Sequence, residues 1–162
     1  MAIVEIWKVP LPRTDTARAE SHAALRHISA DRRGLATSLS HSEQLALVAV
    51  AKRPVGVDLE HIGNAPTVED LDDLAFLTLS EHERRHLVAA PAERQAIEWL
   101  QLWTRKEAVL KAGGRAAADA AIRDLDALGA GVRELDVAPG YVGALATTGD
   151  DDGIVWRTYP ND

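Results

Sequence analysis

The chain is predicted to be an α+β protein whose strands pair antiparallel. Three observations carry this expectation. Strand-like runs open the chain, cluster between residues 38 and 62, and return over the last thirty residues, each bounded by turn-forming residues. A stretch of helical texture separates the last two groups, with a cap signature at Ser80 and a Gly113-Gly114 stop. Runs of strands followed by runs of helices belong to the α+β class.

The elements follow in order. Residues 3–9 (IVEIWKV) read as a strand closed by Pro10 and Pro12. Residues 14–30 are Ala-rich, with Leu25 and Ile28 three apart and Thr14 or Asp15 as the cap, which predicts a helix that Arg32, Arg33 and Gly34 end. From Ser38 to Ile62, the runs SLSHS, LALVAVA and VGVDLEHI predict two or three strands, with a tight turn at Lys52 to Pro54. Pro66 and the acidic stretch to Asp73 mark a loop leading into a short helix. Ser80 with Glu83 three residues on is a capping box, so a helix is expected to start at Glu81. Pro91 suits the first turn of the next helix, which runs to about Ala112. Residues 116–128 are either a further helical piece or an ordered loop. VRELDV, YVGALATT and IVWRTY are the last three strands, with turns at Pro139-Gly140 and Asp150 to Gly153.

Composition narrows the functions. With 162 residues the chain buries roughly two-thirds of its unfolded surface, enough for one domain or two small halves sharing a core. A net charge of -7 argues against a general nucleic-acid binder, yet leaves room for a local basic pocket that takes a phosphorylated small molecule. The absence of cysteine removes disulfides, a thiolate nucleophile and Cys-based zinc, and fits a cytoplasmic protein. MAIVEIWKVPLP lacks the basic and apolar regions of a signal peptide. The longest apolar run, Leu45 to Ala51, falls far short of the ~20 residues a membrane helix needs. A soluble protein with no membrane or nucleic-acid partner is expected.

Three clusters carry chemistry. On the helix from Pro91 to Ala112, Val109, Leu102, Trp99, Leu110, Trp103 and Leu100 form one apolar arc, and Lys106 and Glu107 fall inside it. Charges on a buried stripe need partners. Either they form a buried ion pair that only fixes the helix, or the stripe faces a site, with Lys111 at its margin. Asp58 and Glu60, two apart on a strand, face one side while Val57 and Leu59 face the core. Hard oxygen ligands of this kind favour Mg²⁺ over zinc, the alternative being two solvated acids on an edge strand. Ser40-His41-Ser42 at a strand end can hold phosphate, the alternative being a satisfied structural histidine.

Ser40-His41-Ser42, Gly56-Val57-Asp58-Leu59-Glu60 and the run from Trp103 to Ala112 (WTRKEAVLKA) stand in this order. Together they resemble the 4′-phosphopantetheinyl transferases, in particular the two-lobed type that acts on polyketide and non-ribosomal peptide carrier proteins. The resemblance covers about Arg33 to the C-terminus. It implies two pseudo-symmetric lobes, each with antiparallel strands packed on helices, with the site between them. Residues 1–55 would form a shortened first lobe and residues 56–162 the second, which carries the metal site. Asp58, Glu60 and Glu107 match the family's Mg²⁺ ligands. Lys106 and Lys111 match lysines that contact coenzyme A phosphates, and Ser40 and His41 match the pair that holds the 3′-phosphate. The implied reaction is attack by a serine hydroxyl of an apo acyl or peptidyl carrier protein on the β-phosphate of coenzyme A, releasing adenosine 3′,5′-bisphosphate. In the family's role Lys111 would help neutralise charge as the phosphoanhydride breaks, and Glu107, or a metal-bound water beside it, is the candidate acceptor of the serine proton.

The chain departs from that pattern ahead of Ser40, where the family's Gly-Lys-Pro is represented only by Arg33-Gly34-Leu35. Arg33, with Arg32, is the candidate to replace the basic residues that the family places against the nucleotide. His82-Glu83-Arg84-Arg85-His86 also matches the H-E-x-x-H zinc-peptidase pattern. Two arginines between the histidines oppose a zinc ion, and no third ligand is evident, so a solvated helix face is expected there. Arg84, Arg85 and Arg105 are the candidate contacts for an acidic carrier. All four tryptophans are expected to pack as core.

Overall fold

A computed structural model describes residues 3–118, 121–129, 131–148 and 153–160. The elements are β1 (Ile3–Pro10), α1 (Ala17–Ala30), β2 (Ala36–Ser42), β3 (Leu45–Ala51), β4 (Val55–His61), α2 (Val68–Thr78), α3 (Glu81–Ala89), α4 (Gln95–Ala118), β5 (Val132–Leu135), β6 (Tyr141–Thr147) and β7 (Gly153–Thr158). One sheet has the order β2-β3-β1-β7 and the other β4-β6-β5. All pairs are antiparallel except β1–β7, which is parallel. The last strand, assigned from the sequence to the second half, thus returns to the sheet of β1. Residues 150–152 of the turn expected at Asp150 to Gly153, and residues 119–120 of the 116–128 segment, lie outside the described residues.

The sheets pack face to face. Val4, Ile6, Leu47, Ala49 and Ala51 meet Val57, Leu59 and Leu145 between them. The alternate residues of the first sheet, Trp7, Val9, Ala46, Val48 and Val50, pack against Ala24 and Ile28 of α1. Because β3 is buried on both faces, its sequence is an unbroken apolar run rather than an alternation. α2, α3 and α4 form a third cluster around Leu71, Leu79, Leu87, Leu100 and Leu102.

A row of serines joins the sheets. β4 pairs with β6 along one edge, leaving the N–H groups of its other edge without a strand. Ser38, Ser40 and Ser42, on one face of β2, accept those protons through Oγ from Val57 (3.0 Å), Leu59 (3.3 Å) and His61 (3.1 Å). The period-2 serines of SLSHS thereby cap an edge that would otherwise leave buried donors unpaired.

α4 lies against β4 at Gly56, where a Cβ would stand 1.9 Å from the Ala108 carbonyl oxygen. This close approach sets the separation between the acids of β4 and the charged residues of α4. The helix start differs from expectation: Pro91 leads into a short 3₁₀ turn, Ala92–Arg94, and α4 begins at Gln95. The capping box at Ser80 and Glu83 is present, and Gly114 breaks the helical geometry at φ 53°. Trp156 is 38% exposed, with the Lys8 ammonium over its ring, and so departs from the core role expected of it.

Candidate active site

Strand alternation turns Asp58 and Glu60 away from the inter-sheet core, toward α4 and the end of β2. Asp58 is 4% exposed. Its Oδ1 accepts from Lys111 Nζ at 2.6 Å and from Ser40 Oγ at 2.7 Å. Lys111 also donates to the Val57 carbonyl at 3.2 Å. Burial raises the Asp58 carboxyl from 3.8 to about 6, against the lowering effect of Lys111 and Ser40, while Glu107 adds repulsion. Glu60 Oε2 accepts from Ser42 Oγ at 2.9 Å and Asn64 Nδ2 at 3.0 Å.

Asp58 Oδ2 is a buried acceptor with no hydrogen-bond partner. An orphaned carboxylate oxygen of this kind suits a hard divalent ion. Among the described residues, however, no three side chains are close enough to hold an ion as they stand. Lys111 is the internal cation that Asp58 meets instead.

A cavity of about 320 Å³ opens beside this pair, lined by Arg18, His22 and Leu25 of α1, Leu39, Ser40 and His41 of β2, and Lys111 of α4. Four basic side chains from three elements face it. The His41 imidazole is pushed below its ordinary 6.5, first by burial and then by Arg18, His22 and Lys111; Glu60 opposes the shift. Mutual repulsion of this kind is relieved by an anion. A larger cavity of about 560 Å³ at the β2–β3 turn is lined by Arg13, Asp15, Glu43, Gln44 and His61, a mixed set of charges without that bias.

Three expectations are corrected here. Lys106 does not face the cavity: it is 0% exposed, paired with Glu83 Oε2 at 2.8 Å, and its ammonium also donates to the carbonyls of Ile122, Arg123 and Leu125. A lysine coordinated on every side has no N–H for a phosphate. Ser40 lines the cavity, but its one proton goes to Asp58, so its hydroxyl orients that carboxylate rather than donating to a ligand. Arg33 is exposed in the turn preceding β2, at the opposite end of the strand from His41. Its neighbour Arg32 is spent on Glu5 (3.2 Å) and the Ile28 carbonyl. Arg18 and His22 supply the basic groups from α1 that the sequence reading missed. The signal was their four-residue spacing on a helix face beside a strand bearing a histidine.

The H-E-x-x-H pattern is structural. Glu83 is fully buried, closes the capping box by accepting from the Ser80 N–H at 2.7 Å, and also accepts from the Ala127 N–H at 2.8 Å. His86 Nε2 meets Glu98 at 2.9 Å. A carboxylate held by Lys106 and two backbone donors is no general base for zinc-bound water.

In this sandwich of two sheets, Asp58 of β4 meets Lys111 of α4 next to a cavity ringed by basic side chains. The chain matches the 4′-phosphopantetheinyl transferase superfamily over residues 54–160 and belongs to it. It is similar to the 4′-phosphopantetheinyl transferase HetI of Nostoc sp. (strain PCC 7120 / SAG 25.82 / UTEX 2576), at 43% identity over 82 residues, covering 50% of this chain and 33% of the relative. For the 4′-phosphopantetheinyl transferase psf-1 of Bacillus pumilus the values are 38% over 80 residues, 48% and 31%. For enterobactin synthase component D of Escherichia coli O157:H7 they are 45% over 47 residues, 29% and 22%. The matched segment therefore spans a third or less of each relative's length. Asp58, Glu60, Glu107 and Lys111 lie inside the family match, whereas Arg18, His22 and His41 precede it. No helix among the described residues is long and apolar enough to cross a membrane.

Proposed function

We propose that this protein transfers 4′-phosphopantetheine from coenzyme A to a serine hydroxyl of an apo acyl or peptidyl carrier protein, in the cytoplasm. The observation that carries the reading is the buried Asp58–Lys111 pair opening onto a cavity ringed by Arg18, His22 and His41. That arrangement places an acid with a free oxygen beside cations suited to phosphate oxygens. Two of the relatives are named 4′-phosphopantetheinyl transferases, and the resemblance of the three motifs to the two-lobed type favours carriers of polyketide or non-ribosomal peptide assembly.

Arg18, His22 and His41 bind and orient the anionic end of coenzyme A. A bound phosphate would raise the His41 pKa toward the charged form and tighten the contact. Lys111 stands where it can shift from Asp58 to the phosphoanhydride oxygens as charge grows on them. The carrier serine oxygen forms the new bond to the β-phosphorus. The bond to the bridging oxygen breaks, and its electron pair leaves with adenosine 3′,5′-bisphosphate. Glu107, half-buried on α4, accepts the serine proton. Asp58, Glu60 and Glu107 would hold Mg²⁺ only once their side chains converge, and the bound ion would then supply Lewis-acid polarisation of the pyrophosphate. The acidic overall charge offers nothing to nucleic acid.

Intact-mass spectrometry of a panel of apo carrier proteins, incubated with this protein, coenzyme A and Mg²⁺ beside an EDTA control, tests the reading. A phosphopantetheine mass gain abolished by EDTA is expected. No gain on any carrier, from a folded sample that does not bind coenzyme A, overturns it.

A further inference from the structure

The outer face of α2 and α3 carries a patch that the transfer site does not use. α2 buries Leu71 and Ala75, yet leaves Phe76 58% and Leu77 65% exposed. The guanidinium groups of Arg84 and Arg123 stand 5.3 and 5.2 Å from the Phe76 ring centroid. Neither has a carboxylate partner among the described residues. Arg85 and Arg105, the other arginines expected to meet a partner, are committed elsewhere: Arg85 to Glu81 at 3.0 Å, Arg105 to Glu134 at 2.9 Å and to the Ala127 carbonyl.

Arg84 and Arg123 bring two guanidiniums, without a carboxylate partner among the described residues, to one exposed aromatic, with the exposed Asp72 and Asp73 one turn before Phe76 and Leu77 on α2. Arginine and aromatic residues are enriched at the centres of protein interfaces. The patch also belongs to the framework that holds α4. The carbonyls of Ile122 and Arg123 and the carboxylate of Glu83 all bind the Lys106 ammonium, next to Glu107 in sequence. A partner seated on Phe76 is therefore held on the same rigid unit as Glu107 and Lys111.

We propose that Phe76, Leu77, Arg84 and Arg123 form the docking surface for the carrier protein, which presents an acidic helix whose apolar side covers the phenyl ring. The proposal rests on the transfer reading above. The two guanidiniums at the ring suit acidic side chains on the partner, and the ring and leucine suit an apolar stripe between them. A second copy of this chain is the alternative occupant, and the self-association measured below separates it from the carrier.

The test uses the carrier that wild-type protein modifies fastest in the panel. Carrier KM, kcat and the coenzyme A Kd are compared for wild type, Phe76→Ser, and the double variant Arg84→Glu with Arg123→Glu; Arg84→Gln with Arg123→Gln serves if charge reversal impairs folding. We expect carrier KM to rise about tenfold or more on reversal, with kcat at saturating carrier and coenzyme A Kd within about twofold of wild type. Binding of a carrier whose serine is replaced by alanine should weaken in parallel. An unchanged carrier KM in a folded variant of an active enzyme overturns the docking surface alone. Self-association of the wild type that the variants abolish, with carrier KM intact, assigns the patch to a second copy and also overturns it. If wild type modifies no carrier, the transfer reading fails and the proposal falls with it.

Discussion

Lys106 and Lys111 stand on one helix, each against a buried carboxylate, and their surroundings give them opposite uses. Lys106 and Glu83 are both 0% exposed, and every N–H of the ammonium is absorbed by the carboxylate or by carbonyls. The side chain of Lys111 is 28% exposed and that of Asp58 6%; the lysine makes two contacts, and Asp58 keeps an oxygen without a hydrogen-bond partner. A saturated pair fixes structure. An unsaturated pair at a cavity wall retains capacity for a ligand.

The largest expected effect breaks the first pair. Lys106→Ala or Glu83→Ala strands a charge in the core and should cost about 3–5 kcal/mol in urea unfolding. Glu83→Ala should be the worse, because it also removes the acceptor for the Ser80 and Ala127 N–H groups. Lys106→Met with Glu83→Leu should recover part of the loss. A Lys106→Ala protein as stable as wild type would end the contrast.

Breaking the second pair should instead cost chemistry. Lys111→Ala is expected to lower transfer about 10²–10³-fold. Its effect on stability should stay below about 1 kcal/mol, because Asp58 can take up a proton once its partner is gone. Equal losses of stability in the two lysine variants would erase the distinction.

Legibility in the sequence follows the same line. The strands, the capping box and the Gly113-Gly114 stop were readable because each is a local rule of period or backbone geometry. Asp58 and Glu60 were placed on the correct face by alternation alone. Lys106 was misread because its partner lies in another helix, twenty-odd positions away. Helical spacing says that a charge is buried, and not what neutralises it. The serines of β2 show the same limit: their period was visible, but their acceptor role depends on β4 presenting a bare edge, which only the pairing of β4 with β6 determines. Arg33 stands close to His41 in sequence but far from it in the fold, whereas α1 lies beside β2 and brings the earlier Arg18 to the cavity.

The Asp58 carboxyl sharpens the comparison through pH. Its folded value of about 6 lies above the ordinary 3.8, so the folded state holds this proton more tightly than the unfolded chain. Its contribution to stability is full below pH ~3.8 and is lost as pH rises toward about 6, by at most about 3 kcal/mol. Relative to Asp58→Asn, the wild type should lose melting temperature across that window and run parallel to it above. Mg²⁺ added at pH 7 should raise the wild-type melting temperature and leave Asp58→Asn unmoved. A difference between the two proteins that stays flat from pH 4 to 6 would remove the raised pKa.

The smallest effect separates the two arginine candidates. Arg18 faces the cavity with His22, His41 and Lys111, and losing one partly exposed phosphate contact costs on the order of 1 kcal/mol, about fivefold in affinity. Arg18→Ala should weaken coenzyme A binding by that factor in calorimetry. It should also move the His41 titration, followed by NMR, upward toward 6.5, since one of the charges that depress it is gone. Arg33→Ala should change neither quantity, because Arg33 stands in solvent at the far end of β2. If Arg33→Ala weakens coenzyme A and Arg18→Ala does not, the nucleotide runs along β2 away from Lys111. The open pair would then face something other than the phosphates.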